Sequence, residues 1–124
     1  MNDQAIEQEI QAKGKTAARV TPADLQANII SEHYFTAADG CVGAGIAAGA
    51  LPGGYELHEP RELHLLTFCV LVLRNGFTVT GESACASPEN FDAEIGRKIA
   101  RQNAEQKIWP LMGYELRSQL AKGA

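Results

Sequence analysis

The segment 81–87, Gly-Glu-Ser-Ala-Cys-Ala-Ser, lies where a strand is expected to hand over to a helix, and free backbone amides at such a junction attract anions. A phosphate or carboxylate received by the amides after Ser87 comes within reach of Arg97 or Arg101, from the same helix or from a symmetry mate. Glu82, Ser83, Ser87 and Asn90 form the polar lip of this candidate ligand site, and Tyr34 and Phe35 offer ring faces on which a base can stack. The competing reading gives Ser87 only the work of capping a helix.

Covalent chemistry has weaker support. Cys85 near a helix start has the position of a thiol with lowered pKa, but no histidine is close in sequence; His33, His58 or His64 would have to approach in space. Glu82, Asp92 and Glu94 could supply paired carboxylates, but Asp92 and Glu94, two apart on a helix, point to different faces, and the three read as solvated charges or caps. The histidines are dispersed without metal-ligand spacing, and no Gly-Lys-Ser/Thr closes a phosphate loop. We therefore expect no catalytic residue, no metal site and no cofactor. Trp109 reads as a core anchor.

What must position these residues is a small domain. A chain of 124 residues, 45% hydrophobic, can bury about two-thirds of the surface its unfolded form exposes, enough for one domain. A formal charge of -4 disfavours a phosphate-neutralising surface, so no nucleic-acid partner is expected. The longest apolar run, 65–73, is half of the roughly 20 residues that a membrane-spanning helix needs, so no membrane partner is expected. Three cysteines without a preceding signal segment fit reduced thiols and a cytoplasmic location.

Residues 1–20 read as a flexible lead or frayed helix, and 21–124 as a single domain with a Gly-rich loop at 40–54. Thr21-Pro22-Ala23-Asp24 is a helix start, and the helix is predicted to run from 22 to about 32. Asn75-Gly76 predicts a two-residue type I′ hairpin joining strands 65–74 and 77–83. That turn sets Val72 against Val79, Val70 against Gly81 and Phe68 against Ser83. The first strand is expected in the sheet interior and the second at an edge. A helix over 60–73 ended by the same Asn-Gly is the alternative, and the β-branched and aromatic content favours the strand. Ser87-Pro88-Glu89 is expected to open the longest helix, with Phe91, Ile95 and Ile99 as its buried stripe and an end near Ile108, ahead of Pro110. A short helix over 111–120, anchored by Leu116 and Leu120, would follow. The fold class is α+β: an antiparallel hairpin or small sheet against a long helix of the C-terminal half, preceded by an N-terminal helix.

Three segments carry a resemblance: Ser-Glu-His-Tyr-Phe-Thr-Ala-Ala-Asp-Gly at 31–40, Leu-Thr-Phe-Cys-Val-Leu-Val-Leu-Arg-Asn-Gly-Phe-Thr-Val-Thr-Gly-Glu-Ser-Ala-Cys at 66–85, and the stretch 87–114 from Ser-Pro-Glu-Asn-Phe to Met-Gly-Tyr. Over residues 20–120 the chain resembles the small tailed-phage accessory proteins of the gene-product forty-nine and gene sixty-six family. The resemblance implies a phage or prophage product acting in the cytoplasm of the bacterial host, and it brings no catalytic residues with it. In that context we expect a non-catalytic, homo-oligomeric anti-defence sponge that sequesters a small-molecule nucleotide signal. The alternatives are a protein–protein inhibitor of a host enzyme and a small nucleotide hydrolase.

Overall fold

Thr21 and Thr36 each begin a helix by the same reciprocal device. In both, the threonine hydroxyl accepts from the amide three residues on, and the aspartate there, Asp24 or Asp39, accepts from the threonine amide. These capping boxes fix two turns of the chain around its first strand. The computed structural model describes residues 2–49 and 61–123.

Helix α1 spans Asp3–Ala12 and α2 spans Pro22–Ala27; strand β1, Ile29–Thr36, leads into α3, Ala37–Ala47. A 3₁₀ turn at Arg61–Leu65 enters β2, Leu66–Leu73, which returns as β3, Thr78–Ala84. A second 3₁₀ turn, Pro88–Asn90, precedes α4, Ala93–Lys122. The strands form an antiparallel sheet in the order β1-β2-β3, with α4 across one face. The α+β class is as expected, and residues 66–73 are strand.

The expected helix from 22 to 32 stops at Ala27, because residues 29–36 pair with β2. Tertiary pairing outweighs the continuing Leu25/Ile29 helical spacing, with Ile30 as the extra residue in a register shift between Ile29 and Ser31. The first part of the expected Gly-rich loop is also helical: Gly40, Gly43 and Gly45 lie in α3. Each glycine costs about 1 kcal/mol against alanine. The Thr36–Asp39 capping box and the burial of Ala38 favour the helix against that cost. Residues 50–54 of that loop, and His58, lie outside the described residues.

The hairpin exists with a different turn. A type I′ turn needs positive φ at both central residues, and of the pair only Gly76 has it, at 88°. Leu73 N–H donates to the Phe77 carbonyl at 2.8 Å, leaving Arg74, Asn75 and Gly76 as a three-residue loop. The register therefore shifts by one: Leu71 faces Val79, Cys69 faces Gly81, Phe68 faces Glu82 and Thr67 faces Ser83. A slip of one residue exchanges the faces of a strand. The face under α4 is thus Thr67, Cys69, Leu71 and Leu73 with Val79 and Gly81, all buried.

Gly81 sets the distance between sheet and helix. A Cβ there would lie 2.1 Å from the Ala100 carbonyl oxygen and 2.3 Å from the Ala104 nitrogen. Only glycine allows this approach, and it selects the face that α4 presents: Gly96, Ala100, Ala104 and Ile108. The expected stripe is turned outward, with Ile95 56% and Ile99 43% exposed. Nor does α4 begin at Ser87. Asp92 is its cap, accepting from the Ile95 amide, and Ser87 makes no capping bond.

Pro110 lies inside α4. An interior proline costs about 3 kcal/mol through a lost bond and a ring clash. Fully buried Ile108 alone contributes about 1.5–3 kcal/mol, and Trp109 and Met112 pack on the same core, so the helix continues. The expected separate helix over 111–120 is its last part.

Candidate functional site

At the end of the sheet where β1 gives way to α3 and α4 begins, the chain leaves a cleft of about 90 Å³. Tyr34, Phe35 and Thr36 come from β1, Asp39 from α3, Thr67 from β2, and Phe91, Ala93 and Arg97 from the start of α4. The register places Thr67 opposite Thr36, and Gly96 passes directly over it; a Cβ at Gly96 would lie 3.1 Å from the Thr67 hydroxyl oxygen.

Thr67 is 4% exposed, the one buried polar side chain among the described residues. Its hydroxyl has no hydrogen-bond partner there, and a buried polar group left unpaired costs about 1–3 kcal/mol. Across the cleft Arg97 is exposed and makes no ion pair among the described residues. The first amides of α4 have no intrahelical acceptor, and the Asp92 cap takes only that of Ile95, which leaves Ala93 N–H at the cleft wall. Thr67, Arg97 and the first residue of α4 thus line one cleft, together with Asp39, whose carboxylate accepts from the Thr36 amide. A hydroxyl, a guanidinium and a helix-start amide suit one anionic oxygen group, a carboxylate or phosphate.

Tyr34 borders the cleft from the α4 side of the sheet, where burial raises its phenol pKa and the neighbouring Cys69 adds to the rise. Burial likewise raises the Cys69 thiol, which is fully inaccessible and unsuited to act as a nucleophile. Phe35 points to the other face, stacked on Phe68 with ring centroids 5.5 Å apart. It remains 38% exposed and is among the residues that line the cleft.

Of the residues singled out from the sequence, Tyr34, Phe35 and Arg97 meet here. The others lie elsewhere. Arg101 is occupied: it pairs with Glu32, reaches Glu105 at 3.2 Å and donates to the Gln26 amide oxygen at 2.9 Å. Glu82 and Ser83 are on β3, where the Glu82 carbonyl accepts from the Asn103 side chain at 2.8 Å. That bond covers part of the outer strand edge. Ser87 donates to the Glu89 carboxylate, which lowers the Glu89 pKa, and Asn90 is exposed in the 3₁₀ turn. Cys85 donates its thiol to the Ser87 carbonyl at 3.1 Å. The amide-rich helix start expected after Ser87 is thus displaced to Asp92 and Ala93.

Thr67, Asp39 and Ala93 were not among the expected site residues. Thr36-x-x-Asp39 has the capping-box spacing and could have been read. Thr67 had no signal, since a threonine inside an apolar strand run is ordinary. Among the described residues no group of three or more His, Cys, Asp or Glu side chains is placed to hold a metal ion, and no helix is long and apolar enough to cross a membrane.

A three-stranded antiparallel sheet with one long helix across it, and a small cleft at its end, define a small α+β protein. The family model described as "Phage protein (N4 Gp49/phage Sf6 gene 66) family" matches residues 20–120, and the chain belongs to that family. No curated protein and no solved structure matches it.

Proposed function

We propose that this phage-family protein binds and sequesters a small nucleotide signal of the host without cleaving it, holding a phosphate of the ligand in the cleft between Thr67 and Arg97. The observation that carries this reading is that Thr67, buried and without a hydrogen-bond partner for its hydroxyl among the described residues, lines the same cleft as Arg97, which makes no ion pair among them. A cleft of about 90 Å³ is far below the roughly 300–1,000 Å³ of drug-sized pockets. It is the size of one phosphate group, with the base outside against the exposed part of Phe35. A second copy, meeting the first through exposed Ile95 and Ile99, would enclose that outer part. This reading places the protein in the host cytoplasm, where such signals occur.

Calorimetry with a panel of cyclic dinucleotides and cyclic ADP-ribose derivatives tests it, using the wild-type chain, Arg97→Gln and Thr67→Val. Saturable binding by wild type that weakens in both variants supports the proposal. A panel without heat removes it. Recovery of the ligand intact after heat denaturation separates a sponge from a hydrolase, and light scattering gives the oligomeric state.

A further inference from the structure

The contact between α1 and the rest of the molecule is unlike any other in the fold. None of its residues is buried, and Ile6 is 41% exposed. A cleft of about 250 Å³ separates Ile6 and Ile10 from Val20, Pro22 and Trp109. A second, of about 730 Å³, opens on the side of Leu25, Gln102 and Asn103. The helix is held mainly by polar contacts: the Trp109 indole N–H donates to Asp3 at 3.1 Å, and Arg19 donates two bonds to Glu7 at 2.6 and 2.7 Å. At 10 residues α1 is below the length at which an isolated helix holds itself, about 12–15 residues, so it is ordered only while seated. It also precedes residues 20–120, the part matched by the family.

We propose that the groove between α2 and α4 is a docking site for an acidic amphipathic helix of another protein, and that α1 occupies it in the absence of that partner. The chemistry of the occupant is read from α1 itself. Two apolar residues at i and i+4, Ile6 and Ile10, face the groove, and carboxylates at i−3 and i+1, Asp3 and Glu7, meet Trp109 and Arg19. The unfilled 250 Å³ favours a partner with larger side chains at the two apolar positions, because isoleucine leaves contacts unmade there. The seat matches the carboxylates with donors, the guanidinium of Arg19, the indole of Trp109 and the amide of Gln106, which lies 3.4 Å from Asp3. Tethered through residues 13–18, α1 competes at an effective concentration on the order of millimolar, so a partner must fit better than α1 to displace it.

The test uses a fluorescein-labelled peptide of residues 1–15 carrying Ile6→Phe and Ile10→Leu, titrated against the full chain and against its Asp3→Ala/Glu7→Ala variant. Anisotropy reports the peptide, and Trp109, the only tryptophan, reports the seat. If α1 fills its seat about nine-tenths of the time, its release raises apparent affinity about tenfold. The expected result is therefore tighter binding by the variant, with a Trp109 emission shift, and none by a peptide carrying Ile6→Asp and Ile10→Asp. Equal affinity for both chains overturns the proposal, as does binding of the aspartate peptide or failure of the variant to bind while its circular dichroism shows it folded. Concentration-dependent dimers of the wild-type chain that vanish with Glu7→Ala also overturn it, because the occupant would then be α1 of a second copy.

Discussion

Two helices cover the same domain in opposite ways. Helix α4 meets the sheet through Gly96, Ala100, Ala104 and Ile108, with backbone so close to Gly81 that no side chain fits between. Helix α1 stands off from the domain over clefts on two sides and buries nothing fully. The first contact is made of shape and fixes the register of everything beside it, including Thr67 beneath Gly96. The second is made of a few polar bonds beside clefts that its side chains leave unfilled. The buried core lies under the first, and the second adds contacts at the surface.

The largest expected effect is at Gly81. Alanine there forces α4 off the sheet, and destabilisation should reach or exceed the upper end of the roughly 1–3 kcal/mol typical of overpacking. Urea denaturation measures it; a change below 0.5 kcal/mol would show that the helix does not lie where the structure puts it. Next, Ile108→Ala should cost about 2–5 kcal/mol, whereas Ile6→Ala on α1 should cost about 0.5 kcal/mol or less, as at surface positions. Similar losses at the two sites would erase the contrast between the helices.

Thr67→Val refines the account at the cleft. Replacing an unpartnered buried hydroxyl by a methyl removes a desolvation cost, so stability should hold or rise slightly by thermal melting, while ligand binding falls. A large loss of stability would mean that the hydroxyl has a structural partner. The smallest effect is in acid. The Arg19 guanidinium lowers the Glu7 carboxyl from 4.5 to about 2, and a carboxylate depressed on folding stabilises above its unfolded pKa. The contribution is therefore complete above about 4.5 and lost as pH falls from there toward 2. Trp109 emission should change over that window while far-UV circular dichroism keeps the α4 signal, and Glu7→Gln should flatten the change.

How much of this was legible depended on the range of the interaction involved. The capping hydroxyl of Thr21 and the hairpin at Asn75-Gly76 are local signals and were readable. The register was not, because the choice between a two- and a three-residue loop depends on which strand face α4 covers. Strand β1 was hidden because Leu25 and Ile29 continue a helical spacing that pairing with β2 overrides. The buried face of α4 was hidden by the larger apolar residues Ile95 and Ile99, since a demand for small residues arises only where a glycine lies opposite. At the site, Tyr34, Phe35 and Arg97 could be chosen by type. Thr67 becomes distinctive only once its burial and lack of a partner are visible.

The central claim is that an anionic ligand enters between Thr67 and Arg97, not at the turn after Glu82. Amide chemical-shift mapping during titration with the nucleotide panel decides it most directly. The account predicts saturable shifts at Thr67, Ala93 and Arg97 that disappear in Arg97→Gln. Shifts centred on residues 82–89 would contradict it.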